Sequence, residues 1–298
     1  MLGCRVVEAT PPARSNGQEP SDRADPLDPA FRDVDASDGE VLVAMMDATD
    51  AWPAVQAARD WIRHATGIEG GSRRRLIDLG SGPGTFNSGT QAACTVDLDR
   101  STVMSRTARR RHPSTLAIVA DMADLPVSSG VADLVHIERA LQWTSDPDAA
   151  LAEAARLVAV DGWLAVTDTD WSTFTVDLAP LAPPTDVTAT ADDGAWARAA
   201  LWWVPHGHLA PELPDRLVAL GLTDLAHRSD RVVLTAWDPD DPAQHDGPLG
   251  LPLRTIAGAA GPDAPTLTAQ VDGLAEVART GSFRAELTLV SAGGRRGA

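Results

Sequence analysis

The sequence predicts a doubly wound α/β domain: a mostly parallel seven-stranded sheet with an antiparallel terminal strand and a helical lid. Three observations point there. Short apolar runs alternate with stretches of helical period, one of those runs opens directly into a glycine-rich turn, and two late runs flank an insertion rich in Pro and Gly.

Residues 1–40 are rich in Pro, Asp, Ala and Ser without sustained periodicity, which predicts a disordered acidic tail before one domain over 41–298. Val55, Ala58, Ile62 and Ala65 recur at helical spacing behind Pro53, so a helix is expected from Pro53 to Thr66. The runs Arg75–Leu79, Ala93–Leu98, Leu116–Ala120, Ala132–Ile137 and Trp163–Thr167 read as strands. Val103, Met104, Thr107 and Ala108 supply one helix face between them, and Leu151, Ala154, Ala155 and Val158 another. Parallel strands need crossovers and bury both faces, hence the double winding. A helix over about Pro211–Leu220 stops at Gly221, a natural residue for a helix end. Asp230–Trp237 and Phe283–Ala292 then form a terminal antiparallel pair around a lid-like insertion at about 238–282.

Composition removes several classes of function. The 298 residues hold 42 acidic side chains against 25 basic ones, a formal charge of −17, and every basic residue is Arg. With no Lys and no Tyr, Schiff-base lysines, P-loop lysines and catalytic phenols are excluded. The acidic balance disfavours nucleic acid or an anionic membrane as partner; Arg73–Arg75 and Arg109–Arg111 read as solvated segment ends. Cys4 and Cys94 make neither a disulfide framework nor a zinc site, and no metal is expected. No apolar stretch approaches a membrane span of about 20 residues, and Met1–Arg5 lacks the apolar core of a signal peptide, so a cytoplasmic setting is expected.

The sharpest chemical signal is Leu76-Ile77-Asp78-Leu79-Gly80-Ser81-Gly82-Pro83-Gly84-Thr85. Glycines at alternate positions after a strand let the backbone turn tightly and approach a ligand without Cβ interference. The next strand ends in Thr95-Val96-Asp97-Leu98-Asp99, where a carboxylate can accept both hydroxyls of a ribose, and the third ends in Ala120-Asp121-Met122, beside an adenine edge. Thr85 stands where the dinucleotide fingerprint GxGxxG wants glycine, which disfavours an NAD-linked oxidoreductase. Asp99, just before Arg100-Ser101, reads as a helix N-cap.

The chain resembles the class I S-adenosylmethionine-dependent methyltransferases, in particular the small-molecule methyltransferase type 11 group. The likeness rests on the glycine run, on Ala132-Asp133-Leu134-Val135, on Glu138-Arg139-Ala140-Leu141-Gln142-Trp143, on Glu153 with Arg156-Leu157-Val158, and on Asp161-Gly162-Trp163-Leu164-Ala165-Val166. It implies a Rossmann-like sheet, S-adenosyl-L-methionine as cofactor, and methyl transfer to a small-molecule metabolite with release of S-adenosylhomocysteine. By the same resemblance Asp78, Gly80, Ser81, Gly82 and Gly84 would line the methionine portion. Asp97 would hold the ribose, Leu98 would pack on the adenine, and Asp121 and Met122 would read the adenine edge. The sequence departs from the family at Asp161-Gly162, which keeps one glycine of a usual Pro-Gly-Gly turn, and in the short connection from Gly84 to Asp97. Gly89 lies inside that connection, so the first helix is expected to be a turn short. A non-catalytic scaffold or regulatory protein with a degenerate cofactor loop therefore stands as the second reading.

In-line methyl transfer asks the protein to position an acceptor about 3 Å from the methyl carbon and, for a hydroxyl, to remove a proton. Glu138, His206 and His208 are the candidate catalytic residues; His136 reads as a core histidine. Trp143, Trp171, Trp202 and Trp203 could line an apolar or aromatic acceptor pocket. The acceptor atom, oxygen, nitrogen or carbon, stays open.

Overall fold

Strands buried on both faces need near-continuous apolar sequence, and the central runs supply it. A computed structural model describes residues 34–36, 39–68, 74–90, 92–180, 194–235 and 250–297. Strands β1 (Arg75–Leu79), β2 (Cys94–Asp99), β3 (Leu116–Val119), β4 (Ala132–Glu138), β5 (Val158–Pro180), β6 (Leu222–Leu234) and β7 (Gly281–Arg296) form one sheet in the order β3-β2-β1-β4-β5-β7-β6. β1 to β5 run parallel; β7 lies between β5 and β6, antiparallel to both. The predicted fold class is the observed one.

Helices α1 (Gly39–Asp50), α2 (Pro53–Thr66), α3 (Thr102–Arg111), α4 (Pro147–Leu157), α5 (Ala195–Trp203), α6 (Leu213–Ala219), α7 (Gly250–Ala259) and α8 (Ala264–Thr280) accompany the sheet. Their ends follow local chemistry. Gly67 at φ 65° ends α2, its N–H reaching the carbonyls of Arg63 and His64. The Ser101 hydroxyl accepts from the Met104 N–H at the start of α3, and Asp146 accepts from Ala149 at the start of α4.

The hydrophobic residues form two main cores. In the first, Leu79, Val135, Ile137 and Leu164 of the sheet pack with Leu151, Ala154 and Leu157 of α4 and Leu213 and Leu217 of α6. In the second, the outer lengths of β5 and β7, through Phe174, Phe283, Leu287 and Leu289, pack with Trp196 and Trp203 of α5, Leu253 and Ile256 of α7, and Leu267 of α8. Each such fully buried side chain contributes about 1.5–3 kcal/mol.

Several boundaries differ from expectation. β2 runs to Asp99 rather than Leu98. β5 continues thirteen residues past Thr167, because β7 pairs with it as far as Pro180. Its register with β4 jumps from Ala132–Val158 to Leu134–Trp163, and Asp161, at φ 65°, sits in the extra loop of chain. β6 begins at Leu222, eight residues before the expected start; residues 236–237 lie outside the described residues. Between Gly84 and β2 only a single 3-10 turn forms, Phe86–Gly89. Ordered chain begins before Glu40, since Val34 is buried and α1 starts at Gly39; the predicted tail over 1–33 lies outside the described residues. The described part of the insertion is the helix pair α7 and α8.

Candidate functional site

The C-terminal ends of β1, β2 and β4 and the turn after β3 meet at one cavity of about 240 Å³. After β1 the chain turns through Gly80 and Gly82 at φ 63° and 52°. A Cβ on Gly80 would stand 2.5 Å from that of Ala140, so the position requires glycine on grounds of space as well as conformation. The Gly80 and Ser81 N–H groups donate to the Leu98 carbonyl at 2.8 and 3.2 Å, and the Gly82 N–H donates to the Asp99 carboxylate at 2.8 Å. The short connection after Gly84 thus leaves the loop tied to the end of β2.

Asp99 is the acid of β2 that lines the cavity. Its second oxygen accepts from the Ser101 N–H at 2.8 Å, and each oxygen keeps a lone pair for a ligand hydroxyl. Burial raises its pKa. The expectation that Asp97 holds a ribose is corrected: Asp97 is 1% exposed, absent from the cavity wall, and bonded to the Asn87 amide at 2.5 Å. Burial, with the Asp78 charge beside it, pushes its carboxyl up to about 7. Leu98 is likewise buried beneath the loop, and its carbonyl rather than its side chain serves the site. Gly84, at φ 81°, packs against Ala108 and His112 rather than on the cavity.

Asp78, Gly80, Ser81, Gly82, Asp121 and Met122 all line the cavity. Asp78 bonds His136 Nδ1 at 2.8 Å across the β1–β4 register, with the imidazole stacked on Phe86 at 3.6 Å between centroids. Asp121 is exposed and accepts from the Ala123 N–H, which orients it at the rim. The Ser81 hydroxyl is buried on the wall without a protein partner, a vacancy suited to a ligand's polar group.

The candidate catalytic residues are not brought together. Glu138 lines the cavity, but Arg59 grips both its oxygens at 2.8 and 2.6 Å and Arg139 adds a contact at 3.1 Å. Burial raises the Glu138 pKa, yet the Arg59 charge outweighs it and holds the carboxyl at about 2, so Glu138 is no proton acceptor near neutrality. Arg59 and Arg139 also both bind Asp50 of α1, which closes a square of two guanidiniums and two carboxylates. His206 and His208 lie in the turn after α5, away from the cavity wall, with His208 exposed. That turn serves the site indirectly, since the Gly207 carbonyl accepts from the Trp171 N–H at 3.0 Å.

Trp143, Trp171 and Trp203 line the cavity as expected, whereas Trp202 is 73% exposed and points elsewhere. Sequence reasoning missed Trp52, Arg59 and Asp50 on this wall; all sit at or near the α1–α2 junction, whose placement over the loop no local pattern reveals. Five wall carboxylates (Asp50, Asp78, Asp99, Asp121, Glu138) face three guanidiniums (Arg59, Arg100, Arg139), so the cavity favours a cation. Among the described residues no group of three or more His, Cys, Asp or Glu could hold a metal, and no helix is long and apolar enough to cross a membrane.

A glycine turn at a strand end, flanked by acids from the next two strand ends, lies where open α/β sheets bind their ligands. Residues 77–166, less than half of the chain, match the family model of the Methyltransferase domain. It is 33% identical over 142 residues to an uncharacterized 37.1 kDa protein in transposon TN4556 of Streptomyces fradiae, covering 45% of this chain and 35% of that one. Over 121 residues it is 34% identical to malonyl-[acyl-carrier protein] O-methyltransferase of Laribacter hongkongensis, covering 35% and 38%. The matches thus span little more than a third of the length of these curated relatives. The YcgJ protein of Bacillus subtilis has the same fold, with a TM-score of 0.50 at 15% identity over 82% of this chain and 99% of that one.

Proposed function

We propose that the chain transfers a methyl group from S-adenosyl-L-methionine to a small-molecule acceptor, with S-adenosylhomocysteine as the second product. The observation supporting this most is a single cavity lined by both the glycine turn with Asp99 and Asp121 and an aromatic wall of Trp143, Trp171 and Trp203. The residues present fit the cofactor. Asp99 would hold the ribose hydroxyls, Asp121 and Met122 the adenine, and Asp78, Ser81 and the Gly80–Gly82 backbone the methionine portion. When bound, the cofactor supplies an electrophilic methyl group on a cationic sulfur, and the excess of wall carboxylates suits that charge.

The protein's own contribution is positioning. α1 covers the glycine turn with Met45, Met46, Thr49 and Asp50 on the wall, which limits water at the reacting centre. The Gln142 N–H donates to buried Asp168, and the Gln142 side chain accepts from the Trp171 indole at 2.6 Å, so the aromatic wall is fixed to the end of β4. Incubating the protein with S-adenosylmethionine and a metabolite extract tests the proposal. S-adenosylhomocysteine and a methylated metabolite should appear together by mass spectrometry; no S-adenosylhomocysteine above a protein-free control would overturn it.

A further inference from the structure

The acceptor side of the cavity has a definite chemical character. Trp143 and Trp203 meet edge to face at 5.1 Å, and Trp171 contacts Trp203 and Phe174 at 6.4 and 5.6 Å. Trp52, Trp143 and Trp171 are half-buried, so ring surface stays open to a ligand. Leu253 and Ile256 of α7 and Leu287 of β7 extend the apolar wall.

The charges here are equally specific. Arg59 and Arg139 are the guanidiniums of this part of the wall, and both are spent on Asp50 and Glu138. An anionic acceptor would have to break a buried ion pair to find a cation. A neutral hydroxyl would need a base, whereas Asp50 and Glu138 are locked by arginines.

Resting on the methyltransferase reading above, we infer that the acceptor is a hydrophobic amine methylated on nitrogen, held by the Trp143–Trp171–Trp203 wall. Indole faces attract cations. The amine reacts as its free base, having left any proton to bulk water. Its lone pair forms the N–C bond as the C–S bond breaks and that bonding pair stays on sulfur. One positive charge passes from sulfonium to ammonium, so the charge within the acidic cavity is conserved. A primary or secondary amine then loses one proton to water; a tertiary amine loses none.

The test measures binding by tryptophan fluorescence in the presence of S-adenosylhomocysteine, with three matched probes: N,N-dimethyl-2-phenylethylamine, 2-phenylethanol and 3-phenylpropanoate. The amine should bind about tenfold more tightly than the carboxylate and severalfold more tightly than the alcohol. Trp171→Leu and Trp143→Leu should each weaken the amine more than the alcohol while affinity for S-adenosylhomocysteine, measured by calorimetry, is unchanged. With S-adenosylmethionine the amine should gain the mass of one methyl group. Equal or tighter binding of the carboxylate, or equal losses for amine and alcohol in both variants, would overturn this inference alone. No binding of S-adenosylhomocysteine would overturn the methyltransferase reading and this inference with it.

Discussion

At the scale of the residue, Asp97 weakens the fold it sits in whenever it is ionised. Its native pKa of about 7 lies well above the roughly 3.9 of an unfolded chain. Between those values the native state retains a proton that the unfolded state has released, so stability present at low pH is lost as pH rises through about 7. Asp97→Asn keeps an oxygen for the Asn87 amide and removes the charge. The variant should therefore exceed the wild type in stability at pH 8 by about 1–3 kcal/mol, and the gap should shrink at pH 5. Urea unfolding at both values checks this, and an equal gap at both would refute the buried-charge account. Gly80→Ala should destabilise by more than about 1–2 kcal/mol, through a left-handed backbone and contact with Ala140, in the same assay. The position of Asp97 also shows what a strand conceals. Residues 97 and 99 share a face, about 6.6 Å apart along the strand, and only the strand's true end decides which of them reaches a ligand. Extension of β2 by one residue, to Asp99, puts Asp99 on the cavity wall.

At the scale of the element, α2 is tied to the sheet by one guanidinium. Arg59 is 4% exposed and bridges Asp50 of α1 and Glu138 of β4. Removing it leaves two buried carboxylates with Arg139 as their remaining cation, so Arg59→Ala should cost about 3–5 kcal/mol in urea unfolding. The comparable change at Arg75, whose pair with Asp133 is half exposed, should cost no more than about 1 kcal/mol. Similar losses for the two would show that the buried square is not structural. The limits of α2 and β1 were readable because Pro53, Gly67 and the apolar Leu76, Ile77 and Leu79 before the glycine turn mark them locally. The outer length of β5 was not. Thr169, Ser172 and Thr173 carry no apolar run to mark a strand, and this length is held in the sheet by β7, where the Thr167 and Ser291 hydroxyls bond at 2.7 Å.

At the scale of the whole molecule, the cavity lies where the two main cores meet: the glycine turn belongs to one, and the indole wall to the other. The first half of the site was legible because it hangs on one continuous stretch after β1. The second half was not, since Trp52, Trp143, Trp171, Trp203 and Leu253 come from five separate segments that only the sheet order and the lid bring together. The net charge of −17 is expressed at the cavity as an excess of carboxylates, which suits the cationic cofactor proposed above. Titration calorimetry with S-adenosylmethionine, run side by side on the wild type, Asp99→Ala and Asp97→Asn, tests that claim most directly. The account predicts binding by the wild type, near-equal affinity for Asp97→Asn, and a loss of about tenfold or more for Asp99→Ala. No heat from the wild type at millimolar ligand, or full affinity in Asp99→Ala, would contradict it.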